Sequence, residues 1–431
     1  MVEESIKKGY RQTEVGIIPK DWTVKELSQF GEVKRGAGSQ FIKYVKHGLR
    51  LIRINDFFED NPVFVENTQE IMRFAINEQD VLFAGTGASA GESFIPKKEW
   101  IGNLHSYNAP RIRVKKDFSK EYLLYSLQSN YVRKQMQALF VGAAQPFLDI
   151  TAISNLKIAT PPTIKEQSYI SQTLSEINHC IHSLTHLIKK KKNIKQGTMQ
   201  GLLTGKRRLE GFSEENEIQM VKDGFQQTEI GKIPDDWTIK KIKEFTDATS
   251  GGTPSTFHSE YWNGKIRWMN SGEINLKKIY EVKGRITELG LKNSSTKLIP
   301  KNCILIALAG QGKTRGTVAI NYVESCINQS LGAIFPNKSF SSEYVYHNLD
   351  SRYDELRSLS SGGEGRGGLN LTLIKNINIP FPPTIEEQTA IAEILSDMDV
   401  EINELEKNRD KYVMIKNGMM QKLLTGEIRL Q

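Results

Sequence analysis

Residues 9–27 read GYRQTEVGIIPKDWTVKEL and residues 224–242 read GFQQTEIGKIPDDWTIKKI, identical at 11 of 19 positions. Two further blocks recur in the same order. PPTIKEQ at 161–167 returns as PPTIEEQ at 382–388, and MQGLLTGKRRL at 199–209 returns as MQKLLTGEIRL at 420–430. A chain that repeats itself at this period is expected to fold as two versions of one unit. The offset grows from 215 at the first block to 221 at the other two, so the second intervening segment is six residues longer. The order of the blocks adds a constraint. From Pro161 the chain runs 76 residues to Trp237, whereas only 49 residues follow Pro382; the 22 residues ending at Trp22 bring those 49 to 71. Residues 1–27 therefore read as the missing tail of the second unit. The expectation is a pseudo-twofold arrangement that brings the termini together. The alternative is a plain tandem duplication with a trimmed end.

The repeated blocks open long helices. Thr163 and Thr384 are N-cap candidates, with Glu166 and Glu387 three residues on as capping-box partners. Apolar residues then fall at Ile170, Leu174, Ile177, Ile181, Leu184 and Ile188, and in the second copy at Ile391, Leu395, Met398, Ile402 and Leu405. Alternating steps of 3 and 4 are the spacing of a coiled-coil seam. Each helix is expected to reach the Thr-Gly at 204–205 or 425–426, roughly 60 Å at 1.5 Å per residue. Gly197 and Gly418 are places where it could weaken or kink. The natural partner of each helix is the other, packed antiparallel; the alternative is packing on the neighbouring globular segment.

Between the blocks lie two segments, about 28–160 and 243–381, with little sequence in common but a shared outline. Each carries short β-rich runs with Gly-rich turns (QDVLFAGTGASAG at 79–91, NCILIALAGQGKTRG at 302–316), then a helical run, then a short apolar strand before the paired prolines. The fold class expected is α+β: two globular α/β domains separated by two long antiparallel coiled-coil helices. The boundaries are 1–160 (with 1–27 completing the second repeat), 161–215 as a helical spacer, 216–381, and 382–431 as the second spacer.

Composition excludes several classes. With 38% hydrophobic and 25% charged residues the chain is not a disordered one. No stretch approaches 18 apolar residues, so no membrane span is expected. Met1 to Lys8 is charged with no apolar run behind it, unlike a secretory signal. Cys180, Cys303 and Cys326 form no CxxC pair, against a disulfide scaffold or Cys-based zinc site. Cytoplasmic location is the expectation. The net charge of +8 favours a polyanionic partner.

Candidate catalytic motifs are weak. Residues 307–314, ALAGQGKT, loosely fit a phosphate loop, but RGTVAI follows where a helix is needed. FAGTG at 83–87 imitates a methyltransferase loop, but Pro161-Pro162 and Pro382-Pro383 lack the polar and aromatic neighbours of a catalytic loop. His179, His182 and His186 fall outside the seam and read as a solvated or contact face rather than a metal site. The lysines from 189 to 192, with Lys195, read as a solvated helix face more readily than as DNA-backbone contacts.

The ordered, duplicated set of motifs resembles the specificity subunit of Type I restriction-modification systems. The carrying residues are QTEVGIIPKDW and QTEIGKIPDDW, GGTPST at 251–256 with Tyr261-Trp262 and Gly264, the Gly312–Gly316 turn, Asn328-Gln329 with Tyr107-Asn108 as looser counterpart, PPTIKEQ and PPTIEEQ, and the LLTG helix ends. The first insert departs from the pattern, with Lys34-Arg35-Gly36 where the second has Ser250-Gly251-Gly252. The resemblance implies two target recognition domains, each reading one half of an asymmetric bipartite site in double-stranded DNA, with the helices setting the unread spacer. It implies no cofactor and no metal in this chain. Two methyltransferase (modification) subunits would dock on it, with restriction/translocase subunits added, and S-adenosylmethionine, ATP and Mg would reside on those partners. Candidate DNA-binding residues are Lys34, Arg35, Arg53, Asn55, Thr86 and Gln145 in the first insert, and Asn270, Ser271, Lys313 and Arg315 in the second. Cationic and amide side chains on loops suit phosphate and base-edge contacts. Two other classes stay open: an NTPase through Lys313 or a methyltransferase through Gly85 and Gly87, and a coiled-coil adaptor that binds only proteins.

Overall fold

The computed structural model describes residues 6–140, 146–212, 224–310, 314–359 and 368–430. The chain forms two compact units, residues 1–185 with 406–431, and residues 186–405. The division falls inside the two long helices, Ile164–Leu202 and Ile385–Leu423, each of 39 residues.

In each unit the three repeated blocks converge on one arginine. In the first unit Arg429 donates from Nη1 to both Asp21 carboxylate oxygens (3.1 Å) and from Nη2 to Glu166 Oε2 (2.9 Å), with its guanidinium 5.9 Å from the Trp22 ring. In the second Arg208 donates from Nη1 to Asp236 (3.0 and 3.1 Å) and from Nη2 to Glu387 Oε2 (2.8 Å), over Trp237 at 6.0 Å. The Asp-Trp of one block, the Glu of the next and the Arg of the last thus form one charge-assisted knot. Beside each knot a glycine in the left-handed region ends the long helix: Gly426 (φ 70°) and Gly205 (φ 67°). A side chain there would strike Pro19 and Trp22, or Pro234 and Trp237. Tyr10 Oη also donates to Gly426 O at 3.0 Å. The N-terminal segment is therefore held by the last residues of the chain.

Thr163 and Thr384 cap their helices, accepting from the Glu166 and Glu387 amides at 3.2 Å. The expected return half of the capping box is replaced, because both carboxylates are taken by the knot arginines. The glutamines that follow are buried and accept from the backbone: Ser119 N to Gln167 Oε1 (3.1 Å) and Ser341 N to Gln388 Oε1 (3.0 Å). Ser119 and Ser341 in turn cap matching helices of the globular domains, Lys120–Leu127 and Ser342–Asp350. Each domain is thereby locked in orientation on its own helix start.

The helices continue through Gly197 and Gly418 without interruption. They pair antiparallel within each unit. Lys416 Nζ donates to Asn178 Oδ1 (2.7 Å) in the first, and Lys191 meets Glu401 (2.6 Å) and Lys195 meets Asp399 (2.5 Å) in the second. The expected seam is buried unevenly. Ile170 and Leu174 enter the apolar core of the first unit with Trp22, Phe30 and Leu423, and Ile391 and Leu395 enter that of the second with Trp237 and Tyr344. Ile402 is buried, but Ile177, Ile181, Leu184, Met398 and Leu405 are only half-buried. Met398 still packs against the core of the second unit, and Ile188, farther along the seam, is buried.

The globular domains are built on antiparallel sheets. In the first, Gly31–Lys34, Arg111–Val114, Asp80–Phe83 and Ser93–Phe94 lie side by side. In the second, Ala248–Ser250, Leu331–Ile334, Ile304–Ala307 and Val318–Asn321 do so, with Lys278–Ile279 added at the edge parallel to Val318–Asn321. A second small sheet in each domain contains one parallel strand pair, which positions the candidate site.

Candidate nucleic-acid interface

In the second domain, strand Trp262–Met269 runs parallel to Ser325–Ile327, with Met269 beside Ile327. Both strands stop there, which sets Asn270-Ser271 next to Asn328-Gln329. In the first, Leu49–Ile52 runs parallel to Leu104–His105, with Ile52 beside His105. That sets Arg53 to Asn55 next to Ser106 to Asn108. Two parallel strands ending together release two chains of polar loop side by side, which concentrates exposed donors and acceptors.

A glycine turn borders each pair. A Cβ on Gly36 would lie 2.0 Å from His105 O, and one on Gly251 1.7 Å from Ile327 O. Only glycine permits this approach. The next residue completes the match, with Ala37 N donating to His105 O (2.8 Å) and Gly252 N to Ile327 O (3.0 Å). Gly36 is thus the counterpart of Gly251, one position away from the register that Lys34-Arg35-Gly36 implied. A hairpin loop borders the other side. Gly85 N donates to Asn108 O (2.9 Å) and Leu308 N to Ser330 O (2.8 Å), while Leu148 N and Leu369 N return to Gly85 O and Leu308 O (both 2.8 Å). Tyr107 therefore matches Gln329.

In the first domain these loops line a cleft of about 1060 Å³. Arg53, Asn55 and Thr86 share it. Arg53 is oriented by Asp56 (Nε to Oδ2, 3.3 Å) and by Asn61 O (2.8 Å). Arg35 lies beside the cleft, its guanidinium 4.5 Å from the Tyr107 ring and 4.8 Å from the Phe147 ring. Lys34 is apart from it, paired with Glu32 at 2.5 Å at the end of its strand. Gln145 lies outside the described residues. In the second domain Asn270 turns its Oδ1 onto Gly272 N (2.8 Å) at the head of the turn containing Ser271. Arg315 donates to Arg357 O at 3.0 Å. Lys313 lies outside the described residues. Sequence reasoning missed Ser39, Gln40 and Tyr44 in the first cleft, and the Thr253 Oγ1 to Gln329 Oε1 bond (2.5 Å) that ties the glycine turn to the strand end. The glycine close approach is the one signal that would have found them.

His105 lies behind the first cleft. Burial pushes its pKa down to about 4, and its Nδ1 lies 2.8 Å from Ala109 O. The imidazole is neutral near pH 7, so the cationic groups at this cleft are Arg35 and Arg53.

The alternative chemistries meet a geometry that does not suit them. Ile304–Ala307 and Val318–Asn321 are antiparallel, Ile306 opposite Val318, so the loop between them joins two strands. A phosphate loop requires a helix N-terminus at that point. Asp80–Phe83 and Ser93–Phe94 are likewise antiparallel, so FAGTG sits in a hairpin. His347 Nε2 lies 3.0 Å from Ser396 Oγ, but its Nδ1 is buried without a partner among the described residues, so no carboxylate orients the ring as in a triad. His179, His182 and His186 are exposed, and no group of metal-ligating side chains occurs among the described residues. No helix among them is long and apolar enough to cross a membrane.

A chain with two domains of one framework, each carrying unlike polar loops and bolted to a long helix by the same arginine knot, is a two-part recognition protein. Its relatives agree. It belongs to the Type I restriction modification DNA specificity domain family, whose profile matches residues 19–196 and again 234–413. The putative type I restriction enzyme MjaX specificity subunit of Methanocaldococcus jannaschii is 26% identical over 99% of this chain and 98% of that protein. The EcoR124I/EcoR124II specificity subunit of Escherichia coli is 30% identical over 41% of this chain and 44% of its own length. Among solved structures, the S subunit of a Type I restriction-modification system from M. genitalium matches 93% of this chain and 96% of its own, with a TM-score of 0.60 at 14% identity. That likeness supports the fold.

Proposed function

We propose that the first cleft and the matching loops of the second domain each read one half of a bipartite, asymmetric site in double-stranded DNA. The observation that carries this is the contrast between the parts of each unit. The knots are the same residue for residue, while the loops they hold differ: Arg53, Asn55 and Tyr107 on one side, Asn270, Asn328 and Gln329 on the other. A shared support with unlike readers produces an unlike two-part site. Arg, Asn and Gln at strand ends supply base-edge contacts, and the net charge of +8 supplies the salt-dependent phosphate term.

The long helices set the unread spacer and offer docking surface for two methyltransferase subunits, with restriction/translocase subunits joining the same assembly. S-adenosylmethionine, ATP and Mg belong to those partners in this reading, and the specificity chain itself carries no catalytic step. The whole works in the cytoplasm. The test is exchange of residues 28–160 for the corresponding segment of another family member, followed by mapping of methylated adenines. One half of the modified site should change while the other stays. An unchanged site, or a change in both halves, would refute the assignment.

A further inference from the structure

Phe257 is 96% exposed. It stands in the turn that follows GGTPST, the segment whose Gly251, Gly252 and Thr253 border the strand end, and the recognition scheme above leaves Phe257 itself without a role. Single exposed apolar residues are common. This one differs in being fixed to a loop that is held on every side. Gly252 is bonded to Ile327 O, and Gly252 O accepts from Trp268 Nε1 (3.0 Å). Thr253 is bonded to Gln329, and Pro254 is buried. Ser255 O accepts from Trp262 Nε1 (3.1 Å) and from His258 N, closing the turn with Phe257 at its outer corner. The two indoles meet edge to face at 5.1 Å, and His258 stacks on Tyr261 at 4.8 Å. Two tryptophan N–H groups are thus spent on fixing the backbone beneath a phenylalanine that touches nothing. The matching turn of the first domain, which starts at Gly36, packs its Phe41 and Ile42 against the domain's own core.

We propose that Phe257 is an apolar wedge that enters the base stack of the second half-site. This rests on the reading of the second domain as a DNA reader. A rigid aromatic at the tip of a loop flanked by Gln329 and Asn270 has the form of side chains that insert between base steps, unstack them and kink the duplex. The exposed ring then gains base stacking in the complex that it lacks in the free protein. Because the first domain folds its equivalents inward, only one half of the site is kinked.

The test uses the assembled complex purified through this chain, and duplexes of its mapped site with 2-aminopurine placed in turn at each second-half position. The native complex should raise fluorescence at one step. F257A should abolish that rise and weaken binding roughly ten-fold, the size expected for one lost aromatic–base stack. The salt dependence should be unchanged, since no charge is removed. F257W should retain the rise. Thermal unfolding of F257A should match the native chain, because the ring packs on nothing. A rise that persists in F257A, or unchanged affinity, overturns the proposal. So does subunit dissociation in place of weakened DNA binding, which would make Phe257 a protein contact. If exchanging residues 243–381 leaves the second half-site unaltered, the reading of the domain fails as a whole; if the exchange alters it and F257A is silent, the wedge alone fails.

Discussion

Replacing Arg208 with alanine should destabilise the second unit far more than loss of a surface ion pair would. The Glu387 side chain that Arg208 engages is 1% exposed and that of Arg208 itself 9%, so the deletion strands a carboxylate in a desolvated site. Removing one partner of a buried pair costs about 3–5 kcal/mol, against about 0–1 kcal/mol for an exposed one. The second unit spans residues 186–405. For a unit of this size each kcal/mol lowers the melting temperature by roughly 2–4 °C, so R208A should melt roughly 6–20 °C lower. Calorimetry on the native chain and the variant reads this directly. The pH dependence has a defined sign. Burial already pushes Glu387 upward, with Arg208 pulling it back. Without Arg208 the folded pKa rises further above its unfolded value. The folded state then holds the extra proton, and the deficit shrinks as pH falls toward the normal carboxylate range. R208M combined with E387Q removes both charges and should recover most of the loss. A shift under about 2 °C for R208A, or a double variant worse than the single, would refute the claim that this knot holds the repeated blocks of the second unit together.

Other outcomes follow from the site and from a buried histidine. Gly251→Ala puts a methyl group 1.7 Å from the Ile327 carbonyl and must part the glycine turn from the strand end. It should abolish recognition of the second half-site with the first still read, as half-site competition assays would record; equal loss at both halves would contradict the placement. His347 is buried, and burial pushes its pKa down to about 3. Between that value and its ordinary 6.5 the unfolded chain binds a proton that the folded chain does not. Stability should therefore fall as pH drops below 6.5, by up to about 1.4 kcal/mol per pH unit. H347Q should flatten that slope in urea titrations at pH 7 and 5; an unaltered slope would assign it elsewhere.

The parts of the fold written as repetition or periodicity were legible in the sequence. The two 39-residue helices, their Thr163 and Thr384 caps and their Gly205 and Gly426 ends all follow from local rules. The roles of the repeated charges were not. Glu166 and Glu387 look like capping-box residues because spacing along one helix is all that a sequence displays. Their real partners, Arg429 and Arg208, are 263 and 179 residues away. The seam residues Ile177, Ile181 and Leu184 carry the same pattern as Ile170 and Leu174, and periodicity does not state where a globular core stops covering a helix. At the site, the basic and amide residues stood out, and Arg53, Asn55 and Thr86 do share a cleft. Tyr44 and Ser39 reach it through a glycine whose function is to let two backbones touch. Phe257 left no sequence signal, since exposure of one aromatic is a property of the folded loop.

The most direct test of two unlike readers on matched supports is selection of DNA by the assembled complex from a random duplex library at physiological salt. The enriched sequences should contain two different short motifs, in fixed order, separated by a constant number of unselected base pairs. Gly36→Ala should erase one motif and Gly251→Ala the other. A single continuous motif, two identical motifs, or enrichment that tracks salt alone without sequence would contradict the account.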